Sequence, residues 1–143
     1  DLAAAATIVS TAIKEQIKIT HPEEPDLGYL YGTILTDGEL GNERKPSANI
    51  CVFADEQVDR SPTGSGVTAR MAIASARKAI GTGEICQFES VTGAVFTGQL
   101  KSTSKLGPFN AVTVEVAGHS YYTGSAEFTF EDGDPLGGGF LLD

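Results

Sequence analysis

The stretch Asp59-Arg60-Ser61-Pro62-Thr63-Gly64-Ser65-Gly66 joins a short apolar run to an alanine-rich segment. Helical spacing predicts that residues 67–80 form a helix, which two following glycines close. Because the alanines surround the helix axis, we expect a mostly buried central helix. The two glycines at its start leave N–H groups open, and the helix dipole adds partial positive charge, so a carboxylate should bind there. The alternative is an ordinary loop in which Thr63 or Ser65 caps the helix.

Short runs rich in β-branched and aromatic residues surround this helix, and the short turn sequences between the later ones favour antiparallel hairpins. Strands are predicted over residues 27–36, 48–54, 85–90, 94–102, 111–116 and 120–130. A period of apolar residues predicts an amphipathic helix over 2–18, with Asp1 as its N-cap. The 143 residues, 41% of them hydrophobic, suffice for one domain. The predicted fold class is α+β, a curved antiparallel sheet wrapped about a central helix.

Charge and cysteine content limit the classes of function. The formal net charge of −9 argues against nucleic acid or an anionic membrane as partner and favours a small-molecule ligand. Cys51 and Cys86 have no Cys or His neighbours at metal-binding spacing, so we expect no metal site, no disulfide framework, and a reducing, cytoplasmic setting. The start at Asp1, without Met or a signal peptide, indicates a fragment of a longer protein.

Two motifs compete for the glycine-rich segment. Gly64 to Ala69 matches the dinucleotide-binding pattern G-x-G-x-x-A, and Glu84 follows at a suitable distance. That pattern requires a strand leading directly into the glycines, whereas the polar residues 55–62 intervene here. A nucleophile elbow around Ser65 would need glycine in place of Thr63. Neither motif accounts for the segment.

The run FADEQVDRSPTGSGVTARMA, residues 53–72, is similar to the signature around the second active-site position of the proline racemase family. Later landmarks agree with this resemblance: GHSYYTG at 118–124, Asp134-Pro135, and GFLL at 139–142. The resemblance covers nearly the whole chain. It is nearest to the 3-hydroxyproline dehydratase branch of the family, in which threonine stands at the position of Thr63.

The resemblance implies the diaminopimelate epimerase-like fold, in which two similar domains face each other across a cleft. Residues 1–22 would then be a linking helix, and residues 23–143 the C-terminal domain. The N-terminal domain, with its catalytic Cys-Gly-His segment, would be the main partner, and a homodimer is a further expectation. The family needs neither a cofactor nor a metal.

The resemblance also implies roles for individual residues. Thr63 stands where the racemases carry a catalytic cysteine. Gly64 and Ser65 would present amides to the substrate carboxylate, Asp59 would bind the ring ammonium, and Phe53 would pack on the ring. Without the resemblance, Asp59 would be a loop-capping carboxylate and Phe53 a core residue.

Threonine at position 63 changes the implied reaction, because its hydroxyl does not ionise usefully at neutral pH and cannot replace a cysteine base. The implied activity is dehydration of trans-3-hydroxy-L-proline to Δ1-pyrroline-2-carboxylate. A proline racemase or hydroxyproline 2-epimerase of the same family, and a non-catalytic binding module, are the alternatives.

The remaining candidate residues are expected to be structural. Cys51 and Cys86 should be buried thiols, since neither is predicted at a helix start. His21 and His119 should be solvated, and the side chains of Arg60 and Arg70 should form ion pairs.

Overall fold

The chain was analysed as a computed structural model, which describes residues 1–140. Within these residues, two helices, one short 3-10 turn and six strands follow one another. They are α1 (Leu2–Gln16), the 3-10 turn (Pro25–Leu27), β1 (Gly32–Thr36), β2 (Ser47–Phe53), β3 (Gln57–Val58), α2 (Gly64–Ala76), β4 (Ile85–Glu89), β5 (Val95–Leu106) and β6 (Phe109–Ala117).

The six strands form one sheet, with β3 attached to β2 beside the order β1-β2-β4-β5-β6. All pairings are antiparallel except the short parallel contact between β2 and β4, where Ser47 lies opposite Phe88. The parallel contact arises because α2 crosses over between these two strands. The α+β prediction is confirmed, with this one parallel pair as a departure from the antiparallel expectation.

The hydrophobic core lies between α2 and the strands that follow it. Val67, Met71, Phe88 and Leu100 are at most 1% exposed and form one cluster with Cys86. Helix and sheet can approach closely because Gly98 has no side chain: a Cβ there would lie 2.8 Å from Val67 Cγ1. The core therefore fixes how α2, and with it the helix start, sits on the sheet.

Helix α2 differs from its prediction in two ways. Only one of its faces is buried, and Ser65, Ala69, Ile73 and Ala76 are exposed, so the expectation of burial on most sides was wrong. Small alanine side chains permit close packing but do not require it. The helix also runs over Gly64–Ala76 instead of 67–80, because Lys78 adopts a left-handed φ of 58° two residues after the helix ends.

Helix α1 agrees with its prediction except for its last residues. The Asp1 carboxylate accepts a hydrogen bond from Ala3 N–H at 2.9 Å, which confirms Asp1 as the N-cap. The helix packs on β1 and β2, and the Ser10 and Thr33 hydroxyls form a hydrogen bond of 2.7 Å there. None of the helices among residues 1–140 is long and apolar enough to cross a bilayer.

The predicted strand over 120–130 was wrong. Residues 118–130 carry no regular secondary structure, and Tyr121, Tyr122, Phe128 and Phe130 are each at least 84% exposed. Their residue types favour a strand, but a strand also needs hydrogen-bonding and packing partners. Within the described residues this segment has neither. The first strand begins at Gly32 and is shorter than predicted, since the 3-10 turn Pro25–Leu27 occupies the start of the predicted range.

Candidate functional site

The candidate site is the loop 59–63 and the first turn of α2. Asp59 N–H donates to Cys51 O at 3.0 Å, which ties the start of the loop to the buried strand β2. At the other end, Val67 N–H donates to Thr63 O at 2.8 Å and opens the helix. The loop is thus held between the sheet and α2, both of which are rigid elements of the core.

The Asp59 carboxylate is held by its own loop. Ser61 N–H donates to Asp59 Oδ1 and the Thr63 hydroxyl donates to Asp59 Oδ2, both at 2.8 Å. Burial by itself would raise the pKa of Asp59. The hydrogen bonds from Ser61 and Thr63, with the nearby charge of Arg60, outweigh burial and hold the pKa below its usual value. Asp59 therefore carries a negative charge at neutral pH and can bind a cation.

Thr63 has a strained backbone. It occupies the N-cap position of α2 with φ 66° and ψ 103°, a conformation that is uncommon for a β-branched residue. Such conformations cost of the order of 1–3 kcal/mol and are retained where the surroundings fix them. Thr63 is only 6% exposed, and its side chain makes no capping hydrogen bond, because the hydroxyl donates to Asp59 instead. Thr63 therefore stands at the N-cap position without capping the helix through its side chain, and the alternative in which its hydroxyl caps α2 is wrong.

The start of α2 keeps free N–H groups. Within residues 1–140 no hydrogen bond is found from the N–H of Gly64, Ser65 or Gly66. Gly64 is half-buried and Ser65 is exposed, so solvent or a ligand can reach this turn. Free amides at a helix start favour an anion, so a turn that suits an anion lies next to the anionic Asp59.

Cys51 is buried, as predicted, but it also lies beside the site. Its thiol neighbours the Thr63 hydroxyl and the Asp59 carboxylate. Burial raises the pKa of Cys51, the Asp59 charge raises it further, and the Thr63 hydroxyl only partly opposes this. Burial and Glu84 likewise raise the pKa of Cys86. Both thiols are free, and neither environment favours the thiolate that a base would need.

Phe53 is half-buried and stacks on Tyr31, with ring centroids 5.2 Å apart and planes 13° apart. Tyr29 meets Tyr31 edge-on at 6.4 Å. Tyr31 was not predicted as part of the site, since only the β1–β2 register brings the two strands together. Phe53 lies two residues beyond Cys51 on β2, so both side chains share one face of the strand.

The predicted ion pairs of Arg60 and Arg70 are wrong for the part of the chain that the structure describes, where the ion pair found is Lys101–Glu115. Arg70 instead donates to Ser47 Oγ at 2.7 Å and lies over the Phe88 ring at 4.6 Å. This is a structural role with uncharged partners.

The two histidines have different surroundings. His21 Nδ1 accepts hydrogen bonds from the N–H groups of Glu23 and Glu24, so its ring organises a loop and is half-buried, while His119 is exposed. Among residues 1–140 there is no group of three or more His, Cys, Asp or Glu that could hold a metal ion.

The charges of this segment are complementary to those of an amino-acid zwitterion. Asp59 can bind an ammonium, and the free amides of Gly64 and Ser65 can bind a carboxylate. In the sequence, Thr63 lies between Asp59 and these amides. Two cavities of about 260 and 570 Å³ are lined by other residues.

Comparison with known proteins identifies the family. The sequence profile described as proline racemase matches residues 1–141. The chain is 55% identical over 143 residues to the trans-L-3-hydroxyproline dehydratase of Bos taurus and 54% identical to the trans-3-hydroxy-L-proline dehydratase of Homo sapiens. Each of these alignments covers 99% of this chain and 40% of the relative.

More distant relatives include epimerases. The chain is 38% identical over 134 residues to the 3-hydroxyproline 2-epimerase of Burkholderia multivorans, covering 94% of this chain and 40% of that protein. A hydroxyproline epimerase from Agrobacterium vitis, solved with bound trans-4-hydroxy-L-proline, superposes with a TM-score of 0.84 at 26% identity. That superposition covers 99% of this chain and 40% of the epimerase.

The chain belongs to the proline racemase family. It spans about 40% of the length of the curated relatives it matches.

Proposed function

We propose that this chain is the C-terminal domain of a trans-3-hydroxy-L-proline dehydratase, which converts its substrate to Δ1-pyrroline-2-carboxylate without a cofactor. The observation that carries the proposal is Thr63, a buried hydroxyl at a helix start, hydrogen-bonded to Asp59 where the racemases carry a cysteine. A hydroxyl in this place can orient the substrate but cannot act as the second base of a racemase. The identity of 55% to a curated dehydratase supports the same conclusion.

Each site residue has a role in this reaction. The Asp59 carboxylate binds the ring ammonium, and the amides of Gly64 and Ser65 bind the substrate carboxylate. Phe53, stacked on Tyr31, packs on the pyrrolidine ring. Negative charge develops on the carboxylate when the Cα proton is removed, and the positive end of the α2 dipole stabilises that charge.

Elimination then needs only one acid–base group. In trans-3-hydroxy-L-proline the hydroxyl lies on the same ring face as the Cα hydrogen. A cysteine of the second domain takes the Cα proton, the Cα–H electron pair forms the Cα–C3 double bond, and the C3–O bond breaks. The thiol returns its proton to the departing hydroxyl, giving water and an enamine that tautomerises to the product. Thr63 faces the other side of the ring and delivers no proton.

The domain proposal comprises a linking helix over residues 1–22, a C-terminal domain over 23–143, and a second domain that supplies the base. The exposed aromatic residues Tyr121, Tyr122, Phe128 and Phe130 support it, since they need an apolar partner that the described part of the chain does not provide. We expect the 143-residue chain alone to be inactive. Dehydration of trans-3-hydroxy-L-proline by this chain alone would contradict the half-site proposal.

The deciding experiment uses the full-length protein that contains this chain. Incubation with trans-3-hydroxy-L-proline in deuterated water should give Δ1-pyrroline-2-carboxylate, without epimerised 3-hydroxyproline. Epimerised product, or deuterium-labelled D-proline formed from L-proline, would favour the racemase or 2-epimerase. Calorimetric binding of proline and pyrrole-2-carboxylate without any turnover would favour a non-catalytic binding module.

Two further parts of the proposal concern the surroundings of the enzyme. The two free, buried thiols Cys51 and Cys86 suit a reducing, cytoplasmic compartment. The homodimer stays a prediction, which light scattering on the full-length protein tests.

A further inference from the structure

The Arg60–Ser61 peptide connects the candidate site to the β4–β5 hairpin. Its carbonyl accepts two hydroxyl hydrogen bonds from the hairpin turn, one from Ser90 and one from Thr92, both at 2.7 Å. Its N–H, which belongs to Ser61, donates to Asp59 Oδ1 at 2.8 Å. One planar peptide is thus held by the hairpin on one side and holds the Asp59 carboxylate on the other.

The hairpin turn is itself rigid. Ser90 N–H donates to Ala94 O at 2.9 Å and Gly93 N–H donates to Ser90 O at 3.0 Å. The two hydroxyl oxygens lie 2.9 Å apart, and Ser90 is only 7% exposed. The following strand, β5, packs on α2. The turn therefore provides a fixed reference point for the loop.

We propose that Ser90 and Thr92 are positioning residues of the catalytic site, which act on Asp59 through the Arg60–Ser61 peptide. Their two hydrogen bonds hold the peptide plane in the orientation that directs Ser61 N–H at Asp59. If the peptide rotated, Asp59 would lose the Ser61 N–H as a donor. The carboxylate would then be free to turn, and Oδ2, which accepts from the Thr63 hydroxyl, would move with it. The charge that binds the ammonium and the residue facing the ring would then both move. This inference rests on the proposed function.

The test is a double-mutant cycle in the full-length enzyme. Ser90→Ala combined with Thr92→Val should lower kcat/KM for trans-3-hydroxy-L-proline about tenfold to a hundredfold, as expected when a catalytic group is misplaced. In an Asp59→Asn background the same pair of changes should cost less than about threefold, because the group through which the hydroxyls act is already altered. Equal losses in both backgrounds would mean that the hydroxyls do not act through Asp59.

Thr92 provides the variant that keeps the fold, because its side chain is exposed. Thr92→Val alone should reduce kcat/KM, and Thr92→Ser, which keeps the hydroxyl, should restore it. Thr103→Val is the matched control: it is the same change at an exposed position of β5, where no side-chain hydrogen bond is found among residues 1–140. Thr103→Val should leave kcat/KM within about twofold. No difference between Thr92→Val and Thr103→Val would overturn the proposal.

The two proposals fail differently. If the wild-type enzyme epimerises or racemises instead of dehydrating, the proposed function fails, and the cycle is measured on that reaction. If the wild type dehydrates but the cycle is additive, the positioning role alone fails.

Discussion

Replacing Thr63 by cysteine tests which electrostatic effect dominates at the start of α2. Two effects act on a thiol at this position with opposite signs. The helix dipole and the free amides lower its pKa, while the Asp59 carboxylate, whose Oδ2 lies 2.8 Å from the Thr63 hydroxyl, raises it.

The magnitudes favour Asp59. Two like charges at about 4 Å repel by roughly 4 kcal/mol at an effective dielectric constant of about 20. The helix start contributes about 0.3–2 kcal/mol in the opposite direction. In the free full-length enzyme, the Thr63→Cys thiol should therefore titrate above the usual cysteine value of about 8.5. An ammonium bound at Asp59 would cancel the repulsion, so the thiolate should form readily only with an amino-acid substrate in place.

The assay is a pH titration of thiolate absorbance in the ultraviolet, with the wild-type spectrum subtracted. A matched variant that combines Thr63→Cys with Asp59→Asn should titrate about one to three pH units lower. Proline should also lower the pKa of the single variant, whereas pyrrole-2-carboxylate, which has no ammonium, should not. With proline bound, the single variant should exchange the Cα hydrogen for deuterium and form some racemised product.

If the Thr63→Cys thiol titrates below free cysteine while Asp59 is intact, the helix start outweighs the carboxylate, and Asp59 does not control ionisation at this position. The same conclusion would follow if adding Asp59→Asn left the pKa of the Thr63→Cys thiol unchanged.

Thr63→Ala should keep dehydration but slow it about tenfold to a hundredfold, because a charge-assisted hydrogen bond of about 1.5–3 kcal/mol is lost; loss of all Cα deuterium exchange in that variant would place Thr63 in the proton-transfer step. The same change should raise the pKa of Asp59. A lowered folded-state pKa gives stability that is present above the unfolded value of about 3.9 and lost as pH falls through the folded value, so acid unfolding of Thr63→Ala, followed by circular dichroism, should shift to higher pH. Gly98→Ala should reduce the free energy of unfolding by about 1–3 kcal/mol in denaturant titrations, because the new Cβ would lie 2.8 Å from Val67 Cγ1. Gly81→Ala is the control, since a Cβ there meets nothing within 4 Å, and an equal loss would contradict the packing argument.

Much of the fold followed from local patterns. The N-cap at Asp1, the strand core around Cys51 and Val52, and the hairpins that join β4, β5 and β6 were predicted from periodicity and turn residues and are present. Helix α2 was predicted, but its bounds and its exposed face were not. A local pattern gives the type of an element, whereas its burial depends on what packs against it.

The sequence by itself also identified the family, through the resemblance of residues 53–72, and it supplied the proposal of which residues carry the chemistry, because the segment from Asp59 to Gly66 is contiguous. The tertiary structure decided how those residues are held. Three features depend on strand register and on the packing of α2. They are the hydrogen bond from Thr63 to Asp59, the left-handed backbone of Thr63, and the hydrogen bonds from Ser90 and Thr92 to the Arg60 carbonyl. The exposed segment 118–130 also depends on tertiary structure, because its strand-forming residues form no strand where residues 1–140 supply no neighbour to pair with.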